Sequence, residues 1–403
     1  MLKKLKHTAF RAVHKAMKIG VMVLPFPVPE LLTGAGSVKN LAAEIKKDGV
    51  SNVLVVTDKV LMGLKMPEGL LNSLKDNGIQ YTVFDEVQPN PTIDTIENGL
   101  KVYKSANCDG IVAFGGGSPI DCAKVIGARV VNPDRSIRRM RGTFRLWKSL
   151  PPFYAIPTTA GTGSETTVAA VVTDSNTHEK YAISSLPLVP RMAVLDPELM
   201  LGLPPHITST TGMDALTHAI EAYIGLNGNS FTDKNAEDAT KLIFENLEKV
   251  YSNGSDIEGR NNMALASFYA GSAFTRAYVG YVHAIAHNLG GLYGVPHGLA
   301  NAIILPYVLE FCFEEAEYKL SRLAIAGGIG REGEPQTELA QRFVDKIKTM
   351  NRNMNIPTHV KELQEKDIPL LAKRALREAH PEYPVPRIMT RRECEDLIRK
   401  LLP

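Results

Sequence analysis

The chain has 403 residues, of which 44% are hydrophobic and 22% charged, the composition of an ordinary globular protein with room for two domains, each with a substantial core. Four cysteines (Cys108, Cys122, Cys312 and Cys394) are scattered without a CxxC, which excludes a disulfide framework and a thiolate metal site and fits a reducing, cytoplasmic compartment. The formal net charge is +3, yet residues 1–18 alone carry six Lys or Arg and no acid, so the remainder carries −3; with no basic domain face, nucleic acid is not an expected partner.

Residues 1–26 read as a basic, amphipathic extension. On a helical wheel Leu2, Leu5, Ala9, Val13 and Met17 form a stripe opposite Lys4, Arg11, Lys15 and Lys18, with Lys6 intruding on it. A surface helix is the simple expectation, and docking onto an assembly or a membrane surface the sharper one. No uninterrupted apolar region marks a secretory signal, no stretch is long enough to span a bilayer, and the link from Gly20 to Pro29 is expected to be extended.

From about residue 30 to 200 short β-branched runs alternate with helical patterns. Strands are expected at Val53 to Thr57, Tyr81 to Phe84, Gly110 to Phe114 and Phe153 to Ile156; helices are expected at Val38 to Lys47, Thr92 to Ser105 and Pro119 to Val130. That alternation predicts a mostly parallel sheet with ligands outside the carboxyl ends of its strands. Beyond the paired prolines at Leu203-Pro204-Pro205 the strand signals stop and helical runs follow, among them Asn235 to Tyr251 and Asn261 to Ala277. The expected fold is therefore an α/β dinucleotide-binding domain over 27–205 followed by an all-helical domain over 206–403.

Two loops at strand ends have donors for a phosphate. Ile111 to Phe114 runs into Gly115-Gly116-Gly117-Ser118-Pro119, a turn whose glycines admit a close ligand and whose helix start turns unpaired N–H groups toward it. Pro157 to Glu165 (PTTAGTGSE) repeats the logic with hydroxyls. Asp58, after the strand Val53 to Thr57, can accept from a ribose 2′-OH and repel a 2′-phosphate, which favours NAD over NADP; it can equally cap the next turn.

In the helical half, Asp214 and His218 stand at i and i+4, as do His283 and His287, and Pro296-His297-Gly298 follows. Residues four apart share a helix face, so each pair can present two ligands to one ion. Oxygen plus imidazole suits divalent iron or zinc, and spacing alone leaves open which of His283 and His287 would be the ligand.

Together Asn90-Pro91-Thr92, Gly115 to Asp121, Pro157 to Glu165, Gly212 to Tyr223, Gly280 to His297 and Gly298 to Ala302 resemble the iron-containing (group III) alcohol dehydrogenases over nearly the whole chain from about residue 27. The resemblance implies the dehydroquinate synthase-like architecture and frequent homodimers, with iron (zinc being the alternative) held by Asp214, His218, His283 and His297. It makes His287 the neighbouring non-ligand, and hence a candidate proton relay or a supporting histidine. It places NAD on Asp58, Asn90, Gly117, Ser118, Thr158, Thr159 and Thr162, with Gly116 in the same turn and Lys180 beyond the second loop. The implied reaction interconverts small primary alcohols or diols and aldehydes. A hydroxyacid-oxoacid transhydrogenase and a dehydroquinate synthase-like lyase are the rival expectations; a non-enzymatic scaffold has no need of two dinucleotide loops.

Overall fold

The structure, a computed structural model, describes residues 2–177 and 179–403, with side chains from residue 7 onward. The chain divides into two compact units, one of residues 26–202 with 255–264, the other of residues 1–25, 203–254 and 265–403.

Among the described residues the first unit contains nine strands: β1 Glu30–Thr33, β2 Asn52–Val56, β3 Gln80–Phe84, β4 Gly110–Gly115, β5 Gly142–Thr143, β6 Phe153–Pro157, β7 Ala169–Asp174, β8 Glu179–Ser184 and β9 Met192–Leu195. Six form one sheet in the order β1-β9-β6-β4-β2-β3, with every pair parallel. Val53 to Val56 and Ile111 to Phe114 are wholly buried, because both faces of a parallel sheet lie under helices. The register sets Gly115 at the end of β4 opposite Pro157 at the end of β6, so the glycine-rich turn and the second polar loop leave adjacent strands side by side. β5, β7 and β8 form a separate small sheet, which the sequence reading did not anticipate.

A buried polar core ties the second loop to the helix Gly117–Val131 that follows the glycine turn. Asp121 accepts from Ser164 Oγ at 2.6 Å and from the Val171 amide at 2.9 Å. Lys124, wholly buried, donates to the carbonyls of Thr167 and Ala169 at 2.8 Å each and to Thr167 Oγ1 at 2.9 Å. Burial pulls the Lys124 ammonium down to about 8 against the pull of Asp121 and Glu165, and pushes the Glu165 carboxyl up to about 7.

The second unit is helical. Helices Pro205–Ile224, Ser230–Ser252, Tyr281–Tyr293, His297–Phe311, Phe313–Ala326 and Gln336–Asn353 form its body, and among the described residues no strand occurs after β9. The N-terminal helix Leu2–Val23 belongs to this unit by its contacts, and two expectations about it are corrected. The helix runs on through Gly20 to Val23, since no proline intervenes before Pro25, so the link is not extended from residue 20. The side chains of Leu2, Lys4, Leu5 and Lys6 lie outside the described residues, but Ala9 and Val13 of the expected apolar stripe are exposed, while His14 and Val21 are buried. Hydrogen bonding selects that face: Arg11 donates to the carbonyls of Val385 and Pro386 at 2.6 Å each, and Lys18 to the carbonyl of Leu226 at 3.2 Å. No helix among the described residues is long and apolar enough to cross a membrane, and the four cysteines are free and buried.

Replacing Lys124 by Met retains the buried volume but removes every donor and the charge facing Asp121 and Glu165. We expect a loss of about 3 kcal/mol in the stability of the α/β unit, read as a lower urea midpoint, because breaking one side of a buried charge network leaves the other uncompensated. An unchanged midpoint would show that the network does not hold the loop.

Candidate metal centre and dinucleotide loops

Helix Pro205–Ile224 presents Asp214, His218 and Glu221 at i, i+4 and i+7, one stripe of its surface. His283 lies in the first turn of helix Tyr281–Tyr293, and His297 opens helix His297–Phe311 behind Pro296. Ligand atoms of Asp214, His218, His283 and His297 all lie within 4.8 Å of one another. Asp214 Oδ1 stands 3.5 Å from His297 Nε2 and 3.8 Å from His283 Nε2. Two ligands bound at 2.0–2.2 Å on a tetrahedral ion are about 3.4 Å apart, so these separations suit one small divalent cation. Gly298 makes the approach possible, since a Cβ there would stand 2.4 Å from the carbonyl oxygen of Thr210 on the facing helix.

The cage is held from outside by a carboxylate that the sequence reading passed over. Glu221 accepts from the amides of Gly280 at 2.8 Å and Val282 at 2.7 Å, and its Oε2 lies 2.6 Å from His283 Nδ1. That bond assigns the His283 proton to Nδ1 and turns the Nε2 lone pair toward the other ligands. Burial holds His283 well below the usual imidazole range, helped by His218, His297 and His287; burial pushes Glu221 up to about 7 against the pull of the Gly280 and Val282 amides. A neutral imidazole is the form that binds metal. Asn301 supplies a further sign of fit: its Nδ2 stands 2.6 Å from Asp214 Oδ1, 3.1 Å from His297 Nε2 and 3.2 Å from His283 Nε2, three acceptors converging on one electropositive group. His218 is braced from behind by the Phe274 ring at 4.1 Å.

His287 is not in that ligand group. Its ring stacks on His297 with centroids 5.1 Å apart, and its Nδ1 lies 2.6 Å from Glu378 Oε1, which also accepts from Tyr383 OH at 2.9 Å. The His297 side chain is 39% exposed where those of Asp214 and His283 are 3%, so the cage opens on the side of His297 and His287.

In the α/β unit the two polar loops adjoin as the β4–β6 register requires. A Cβ on Gly116 would lie 3.4 Å from Thr159 Oγ1, and one on Gly117 would lie 3.1 Å from Thr162 Cγ2, so the two glycines face the threonines at contact distance. The Thr158 amide donates to the Gly115 carbonyl at 3.1 Å, and the Asn90 amide donates to Ser118 Oγ at 3.2 Å. Asn90, Gly116, Gly117, Ser118, Thr158, Thr159 and Thr162 are thus brought together beside the first turn of helix Gly117–Val131. Asp58 follows β2, and its Oδ1 caps the short helix Lys59–Gly63 by accepting from the Leu61 amide at 2.9 Å. Lys180 lies on β8 in register with Thr173, whose amide donates to the Pro91 carbonyl at 2.9 Å, beside Asn90.

A parallel sheet with two donor-rich loops and a helical unit with a one-carboxylate, three-imidazole cage define the class of metal-dependent, nucleotide-binding oxidoreductases. Residues 28–197 match the iron-containing alcohol dehydrogenase family, and residues 208–402 match the C-terminal part of the Fe-containing alcohol dehydrogenase family. The chain is 38% identical over 371 residues to the 1,3-propanediol dehydrogenase of Citrobacter freundii, covering 91% of this chain and 95% of that one. It is 37% identical to the NAD-dependent methanol dehydrogenase of Bacillus methanolicus, covering 94% and 99%. The solved alcohol dehydrogenase of Oenococcus oeni superposes with a TM-score of 0.90 at 34% identity, covering 94% and 100%. The chain belongs to the iron-containing alcohol dehydrogenase family.

Two substitutions test the cage. His297→Ala should leave protein purified under anaerobic conditions without stoichiometric iron or zinc by elemental analysis. Glu221→Gln should keep the ligands but loosen metal, raising its dissociation constant about 10- to 100-fold in competition with a chelator; full metal occupancy in the first variant or unchanged affinity in the second would refute the corresponding role.

Proposed function

We propose that the chain interconverts small primary alcohols or diols and the corresponding aldehydes with NAD(H), and that Asp214, His218, His283 and His297 hold the divalent ion at which the oxygen reacts. The observation that carries this reading is the convergence of those four side chains with His283 locked by Glu221. When bound, the ion polarises the substrate oxygen as a Lewis acid and the nicotinamide supplies or takes the hydride.

Within that reading the residues divide the work. Asp214, His218 and His283 anchor from the buried side, and His297 guards the opening through which a small substrate enters. His287, with Nδ1 fixed by Glu378, exchanges the reaction's proton at Nε2. Amides at the start of helix Gly117–Val131 and the hydroxyls of Ser118, Thr159 and Thr162 bind the pyrophosphate, and Asn90 closes over it through its tie to Ser118. Asp58 Oδ2 accepts from the ribose 2′-OH while Oδ1 serves as the cap. The methanol and propanediol dehydrogenases among the relatives support a small, uncharged substrate. Exposed Ile19, Met22 and Val23 at the end of the N-terminal helix support docking of that segment onto an assembly or surface.

An NADH-linked assay with propanal, glycolaldehyde and 3-hydroxypropanal checks the reaction, and absence of turnover with every small aldehyde in the iron-loaded enzyme would sink it. Asp58→Ser keeps a capping oxygen and removes the charge. It should lower the ratio of kcat/KM for NAD over NADP at least tenfold, about 1.4 kcal/mol, with little change in stability. An unchanged ratio would show that Asp58 is a cap alone.

A further inference from the structure

The stretch from Asn132 to Lys148 in the α/β unit lines a pocket of about 680 Å³, the size of a small-molecule site. Six of its lining residues are cations: Arg135, Arg138, Arg139, Arg141, Arg145 and Lys148. Two of these are committed elsewhere. Arg138 holds Asp174 through two bonds of 2.5 and 2.9 Å, and Arg141 pairs with Glu179 at 2.7 Å. Among the described residues, the other four have no carboxylate within ion-pair distance, and Asp134 is the one acid in the lining.

The wall is built rather than incidental. Arg129, with a side chain only 13% exposed, donates to Glu97 at 2.7 Å and to the carbonyls of Asn132, Pro133 and Arg135 at 2.8, 2.9 and 3.0 Å, which pins the turn leaving helix Gly117–Val131. Arg135 in turn bonds the Arg145 carbonyl, joining the two ends of the lining stretch. Beside it Trp147, 68% exposed, stacks on Phe144 with ring centroids 6.3 Å apart.

We propose that this pocket is a second ligand site, distinct from the dinucleotide loops, that takes a small anion bearing a chain of phosphates. A single carboxylate would be satisfied by one guanidinium; several unpaired cations around one concavity call for a ligand with several charges and paired oxygens, which guanidinium forks match. Exposed Trp147, set against half-buried Phe144, offers a ring face to a nucleobase, so a nucleoside triphosphate fits better than inorganic triphosphate. RNA would need a basic track beyond the pocket, whereas the chain after residue 18 carries net −3. Helix Gly117–Val131 is about 22 Å long, so the Asn132 end of this pocket lies far from the amides of the helix's first turn.

The full-length protein, saturated with NAD so that the dinucleotide loops are filled, is titrated with ATP, with inorganic triphosphate and with a 20-nucleotide single-stranded RNA by calorimetry, and by fluorescence of Trp147, its only tryptophan. Binding of ATP or triphosphate at one per chain is expected, weakened at least tenfold in Arg139→Ala/Arg145→Ala/Lys148→Ala while the NAD affinity of that variant stays unchanged. Tighter binding of ATP with quenching of Trp147 shows that the base stacks; equal affinities show that phosphates alone are read. No binding in the presence of NAD, undiminished binding in the triple variant, or RNA binding that triphosphate does not displace would each overturn the proposal.

Discussion

One buried carboxylate organises the helical unit. Glu221 sits two turns along its helix from Asp214, and through three hydrogen bonds it gathers the amides of Gly280 and Val282 and the ring of His283. Two of those amides are orphan donors of a helix start, which must be satisfied whether or not a metal is present. The same side chain therefore fixes where helix Tyr281–Tyr293 begins and which way its histidine faces. Because Asp214, His218 and Glu221 share one stripe, a rotation of helix Pro205–Ile224 would displace two proposed ligands and the carboxylate that holds His283 together, so the group stays as rigid as the helix packing.

The α/β unit uses a related device. Lys124 is wholly buried and Asp121 half-buried where hydrophobic side chains would pack without desolvation cost, and buried charges are poor sources of stability in themselves. What they provide is position. Lys124 collects two backbone carbonyls, and Asp121 a hydroxyl and an amide, from the segment Ser164 to Val171, which joins the second polar loop to the start of β7. In both units a charged group withdrawn from water finds its partners where a strand or helix begins, beside the residues proposed to bind cofactor or metal.

Much of this was legible in the sequence because its signals are local. Short β-branched apolar runs located β2, β3, β4 and β6 to within a residue or so, and the i, i+4 pairs located two of the helices that carry the convergent Asp and His side chains. Choosing between His283 and His287 was not local. It depends on Glu221 and Glu378, which lie 62 and 91 residues from their histidines and acquire meaning only when the helices pack. β1 and β9 escaped notice because each has only four residues, and four residues carry too little periodicity. The N-terminal helix was read on the wrong face for a different reason. The wheel assigned cations to solvent, yet Arg11 and Lys18 turn inward to carbonyl groups, a use of charge that hydrophobic periodicity cannot register.

Helix Gly117–Val131 shows how one element can serve two electrostatic tasks without conflict. Its first turn offers unpaired amides and the positive end of the dipole, where a pyrophosphate is stabilised. At its last turn the carbonyls and the negative end favour cations, and Arg129 lies there with its guanidinium spread over three carbonyls of the exit turn. Fifteen residues of helix place the ends about 22 Å apart, well beyond the Debye length of about 8 Å at physiological ionic strength. Charge at the exit turn itself is therefore remote from the first turn of the helix. The basic stretch that follows turns back along the sheet, since Arg138 holds Asp174 and the amide of the neighbouring Thr173 donates to the carbonyl of Pro91, next to Asn90.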